Sequence, residues 1–250
     1  MIQKLYKKSE LWFALAWIIA YVILASIGDN LSTKIGISKV ITLPILSALS
    51  VLLFCFVKKN GLLKKYGLCK PNISNSKMLF YFPLILLLTA NLWFGVALNA
   101  TPIETVLYIL SMICVGFLEE MIFRGFLFNA MAKNGVKSAI IVSSVTFGIG
   151  HIINLVNGSG AELLPNILQV IYAVAVGFTF VIIYYKSESL LPCIITHGVF
   201  NGLSAFSNEE VITMPRQIIS GLLIAIIAGA YAIYIALAVK KERVKEIKEG

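Results

Sequence analysis

Residues 111–124 read Ser111-Met-Ile-Cys-Val-Gly-Phe-Leu-Glu119-Glu120-Met-Ile-Phe-Arg124, and the apolar character runs on to about Met131. The run is long enough to cross a bilayer, for which about 20 largely apolar residues are needed, yet its middle carries two carboxylates and a guanidinium. An ionisable residue at the bilayer centre costs roughly 2.5–3.5 kcal/mol even on a lenient insertion scale. Such a cost is tolerated where the charges are used. Glu120 and Arg124 stand four residues apart, so on a helix they share a face and can pair. Glu119 is rotated by about 100° from Glu120 and points towards neighbouring helices, a carboxylate without a local counter-charge.

The rest of the chain supplies those neighbours. Of its 250 residues 59% are hydrophobic and only 13% charged, against about 25% charged in soluble domains; mean hydropathy is +0.90. The expectation is an all-α polytopic membrane helix bundle, a single integral membrane domain over residues 1–250. Segments at about 11–27, 38–57, 78–98, 104–131, 137–155, 163–185, 189–206 and 214–239 read as about eight transmembrane helices. The first follows Lys4, Lys7 and Lys8 and reads as an uncleaved span rather than a signal peptide. The net charge of +9 is spread between apolar runs rather than gathered in one patch, which argues for topology signals and against nucleic acid as a partner.

Of the 21 basic residues, Lys34, Lys39 and Arg216 fall on one side of this eight-span map, and Arg124 lies inside a span. All the others, including the connection Lys58–Lys77 and the basic tail Lys240–Lys248, fall on the opposite side. The positive-inside rule makes that side cytoplasmic, with both termini there. Cys55, Cys69, Cys114 and Cys193 are scattered and suggest neither a disulfide framework nor a cysteine zinc site. The Lys-over-Arg bias points to a bacterial cell membrane.

Both histidines of the chain fall inside spans. His151 closes Thr146-Phe-Gly-Ile-Gly-His151, and His197 opens His197-Gly-Val-Phe-Asn201, with Asn201 one helical turn on. At about 1.5 Å per residue, Glu119 lies roughly 18 Å from Met131, His151 roughly 21 Å from Lys137 and His197 roughly 12–16 Å from the start of its span. The three can meet at a similar depth, with the site expected to open towards the cytoplasmic half. A carboxylate in a low-dielectric pocket serves as general base and then acid. Imidazoles orient a water or bind a metal, and an Asn amide with a His N–H stabilises an oxyanion. No serine or cysteine nucleophile is placed to act, so an attacking water is the economical choice.

These residues resemble the CAAX-processing and bacteriocin-processing (CPBP, or Abi) protease family, which includes the type II CAAX prenyl endopeptidases. Its pattern, Glu-Glu-x-x-x-Arg, Phe-x-x-x-His and His-x-x-x-Asn/Asp on three spans, appears here as Glu119-Glu120-Met-Ile-Phe-Arg124, Phe147-Gly-Ile-Gly-His151 and His197-Gly-Val-Phe-Asn201. The matching core covers about 104–205, and Tyr66-Gly-Leu-Cys-Lys-Pro71 also looks like the family. The resemblance implies an intramembrane endopeptidase in which Glu119 and His151 activate water, His197 and Asn201 stabilise the oxyanion, and Glu120 with Arg124 supports the site. It implies no required cofactor; a divalent metal such as zinc, if used, would take Glu119, His151 and His197. Substrates on this reading are membrane-associated, prenylated, peptide-pheromone or bacteriocin-like peptides. The alternative is a non-catalytic immunity or scaffolding protein that binds a peptide or protein in the same pocket.

Overall fold

The computed structural model describes residues 2–156 and 162–240; the tail beyond Lys240 lies outside the described residues. Among these the chain is helical, and its single strand-like contact is an isolated antiparallel bridge between Val96 and Ser207. In chain order the helices are α1 (Ile2–Lys8), α2 (Glu10–Ile35), α3 (Thr42–Lys59), α4 (Phe82–Leu88), α5 (Pro102–Ala132), α6 (Val136–Leu155, its last turn tightened), α7 (Leu163–Ser187), α8 (Leu191–Leu203) and α9 (Met214–Ala238). Six of them, α2, α3, α5, α6, α7 and α9, are long and apolar enough to cross a membrane.

The ends of the long helices carry their own stop and start signals. Ser9 caps α2 through its side chain, which accepts from the Trp12 amide. Gly36, at φ 81°, closes the same helix in the left-handed conformation that glycine adopts without a Cβ penalty. Thr101 and Glu104 form a reciprocal capping box, with Pro102 in the first turn of α5.

The segment expected to span 78–98 as one helix does not. It breaks into a tight turn at Asn75–Tyr81, the two-turn α4 and another turn at Ala90–Leu92. Leu79, Phe80 and Tyr81 all take positive φ, and Pro83 sits in the first turn of α4. Apolar content alone made this stretch look like a span. Backbone freed from a helix is tolerated at membrane depth only when it is buried in protein or lines a cavity, and both occur here. Tyr231 and Tyr234 donate hydroxyls to the Met78 and Lys77 carbonyls, and the Asn91 amide donates to the Phe200 carbonyl. The segment thus threads along α8 and α9 from one end of the bundle to the other.

Helices approach closely where glycine allows it. A Cβ on Gly116 would stand 2.5 Å from the Gly198 nitrogen, so α5 and α8 meet backbone to backbone. Gly148 meets Val174 and Gly177 meets Ser144 in the same way, which seats α6 on α7. Packing through small residues is the membrane device for bringing helices together where no hydrophobic drive separates lipid from protein. These two crossings position the polar residues singled out above.

One end of the bundle gathers the basic connections. There Lys65 and Lys133 both contact the Glu10 carboxylate, at 2.7 and 3.0 Å. Tyr66 is buried against Phe126 at 4.9 Å between ring centroids. Gly67, at φ 69°, accepts from the Leu190 amide, and Ser189 donates to the Cys69 carbonyl. The Tyr66–Pro71 stretch is therefore a latch that pins the start of α8 and caps the core at this end.

Candidate active site

Within α5 the turn widens to a π-helix over Glu120–Phe128, and every residue of that stretch is buried. π-turns concentrate at functional sites; here one begins at the carboxylate pair. Glu120 and Arg124, both fully buried, pair at 3.0 Å as the i,i+4 spacing predicts. Glu120 does more than balance Arg124. The same oxygen, Oε1, lies 2.8 Å from Nδ1 of His197. An ionised carboxylate only accepts, so Nδ1 carries the proton and Nε2 turns to Oε2 of Glu119, 3.5 Å away.

Phe147 is the hub of the cluster. The Arg124 guanidinium lies 4.0 Å from its ring centroid, within the range of a cation–π contact. The His151 and His197 rings stand edge-on to Phe147 at 5.4 and 5.6 Å. The aromatic four residues before His151 thus spaces the two imidazoles and shields the buried cation.

Glu119 is only partly buried and has a partner that the sequence did not reveal. Tyr21, midway along α2, donates its hydroxyl to Oε1 of Glu119 at 2.6 Å. A tyrosine in an apolar run carries no sequence signal of such a role, since it is read as part of the span. Glu119 and Tyr21 line a cavity of ≈ 340 Å³ together with His151 and Asn201. A smaller, mostly apolar cavity of ≈ 60 Å³ adjoins it, sharing His151 and Asn201 and bounded by His197, Leu87, Val176 and Phe180. Second-layer amides hold the His151 end: Asn166 donates to the His151 carbonyl, and Asn154 donates to Gln169. All six residues expected at the site are therefore brought together. Glu119, His151 and Asn201 face a common space, His197 bridges the two glutamates, and Glu120 with Arg124 lies beneath.

The ≈ 340 Å³ cavity runs from Glu119 to Asp29, Lys39, Tyr108 and Ser204, at the end of the bundle opposite the Lys58–Lys77 connection. Depth along each helix constrained the level of the site but not the side on which helices part.

Among the described residues no group of three His, Cys, Asp or Glu could hold an ion, whereas a catalytic zinc needs three protein ligands and an open position. His197 directs one nitrogen to Glu120 and the other towards Glu119.

Residues 100–203 match the family model described as type II CAAX prenyl endopeptidase Rce1-like. This core is similar to that family. The similarity is to a CAAX-type intramembrane endopeptidase, a class acting on membrane-associated peptides, and the matched segment contains every expected site residue but not Tyr21. No curated protein matches the chain.

Proposed function

We propose that the chain hydrolyses a peptide bond of a membrane-associated peptide with a water activated by Glu119 and His151. The observation that carries this reading is the cavity in which Glu119, His151 and Asn201 meet, floored by the bridged set Glu119–His197–Glu120–Arg124. Glu119 takes a proton from the water as its oxygen bonds to the scissile carbonyl carbon. The carbonyl oxygen becomes an oxyanion, and His197 and the Asn201 amide donate to it. As the carbon–nitrogen bond breaks, the proton held by Glu119 passes to the leaving nitrogen.

General base catalysis is worth about 10²–10⁴ in rate, and one oxyanion donor about 10²–10³. Peptides released by membranes of cells carrying wild type, Glu119→Gln or His151→Ala test the reading. Cleavage products present only with wild type are expected. Identical products from all three, or full cellular function of Glu119→Gln, would overturn it in favour of a binding role.

A further inference from the structure

The path to the site has a direction that the proposed chemistry does not require. Towards the end bearing Lys34, Lys39 and Arg216, the Glu119 cavity gives way to a polar space of ≈ 690 Å³. The two share Asn91, Tyr108 and Ser204, and the larger one is rimmed by exposed Ser38, Asn99 and Glu209. Tyr108 and Ser204 hydrogen-bond at 2.8 Å at the junction. In the other direction the floor is closed. Residues Glu120–Phe128 are all buried, and Phe126 is packed between Phe13 and Tyr66 at 5.0 and 4.9 Å. The cavity at the basic end, lined by Lys64, Phe128 and Tyr184, shares no residue with the Glu119 cavity. A peptide approaching from that end would have to displace the Tyr66–Pro71 latch and a packed aromatic core.

The charge bias says which end is which. Among the described residues, the basic end holds Lys58, Lys59, Lys64, Lys65, Lys70 and more, whereas the open end holds Lys34, Lys39 and Arg216, and Lys39 is neutralised by Asp29 at 2.7 Å. The open end is therefore the external one. We propose that peptide enters the Glu119 site from the external face, so that the substrate is an extracytoplasmic, membrane-proximal segment rather than a cytoplasmic carboxyl terminus. The identity of the entrant as substrate rests on the endopeptidase reading; the direction of entry does not.

Cysteine labelling with a membrane-impermeant maleimide separates the two. Ser204→Cys at the junction and Glu209→Cys at the rim are compared with Lys64→Cys at the basic end, each read as the increment over wild type and its four native cysteines. In intact cells Ser204→Cys and Glu209→Cys label, and Lys64→Cys labels only after the cells are opened. The same pattern in a Glu119→Gln background shows that entry is independent of catalysis. If Lys64→Cys labels in intact cells and Glu209→Cys does not, the orientation is overturned. If Glu209→Cys labels but Ser204→Cys does not, the passage is overturned. Loss of cleavage with an unchanged labelling pattern strikes the endopeptidase reading alone.

Discussion

At the scale of single residues, the adjacent glutamates have different surroundings and different work. Glu120 accepts from Arg124 and His197 on one oxygen and sees no cavity. Removing its cation leaves a buried charge short of a partner, which costs about 3–5 kcal/mol. Arg124→Met is expected to lose that much stability in detergent unfolding, and the double variant Glu120→Gln/Arg124→Met to recover part of it. Glu119 is oriented by Tyr21 rather than by its own helix. A hydrogen bond to a charged group is worth about 1.5–3 kcal/mol. Tyr21→Phe should therefore lower kcat about 10- to 100-fold with little change in KM, because the hydroxyl touches the carboxylate and not the peptide. A fall in kcat/KM through KM alone would remove the positioning role.

At the scale of elements, the site depends on how closely α5 and α8 approach. Gly116 lies one turn before Glu119, and any Cβ there meets the Gly198 backbone, which cannot swing aside as a side-chain end can. Gly116→Ala is expected to cost about 1–3 kcal/mol through overpacking and to lower activity by moving Glu119 away from His197. Gly229→Ala, in α9 with nothing within 4 Å of the added carbon, is the matched control. It should leave activity unchanged and stability equal or higher by about 0.4–1 kcal/mol. The broken segment between α3 and α5 shows the limit of reading elements from hydropathy. Its leucines and phenylalanines resemble a span, but Pro83, Asn91 and three left-handed residues turn it into a wall whose Leu87 and Asn91 reach the cavities.

At the scale of the whole molecule, the bundle has a packed half and a hollow half, divided at the level of the glutamate pair. The packed half carries the aromatic core and the latch; the hollow half carries the polar cavities. Because no three such ligands gather among the described residues, chelation by EDTA or 1,10-phenanthroline should leave the rate of the purified protein within about twofold of untreated enzyme. A rate abolished by chelator and restored by zinc would instead require His197 to turn away from Glu120.

The sequence by itself determined the class of fold, the membrane setting and the six polar residues that meet at the site. Those follow from composition, from the cost of charge in lipid and from spacing along one helix, as with Glu120 and Arg124. The motif residues Phe147, His151, His197 and Asn201 were legible for the same reason: polar side chains and ordered spacings stand out in apolar runs. Only the tertiary structure decided what crosses between helices. Tyr21 lies 98 positions from Glu119, and its hydroxyl is one more atom in an apolar run until α2 is laid beside α5. The direction of the cavity likewise depends on where helices diverge, which local periodicity does not encode. The i,i+4 spacing already paired Glu120 with Arg124 and left Glu119 free; that one imidazole, His197, reaches both carboxylates follows from the close packing at Gly116 and Gly198.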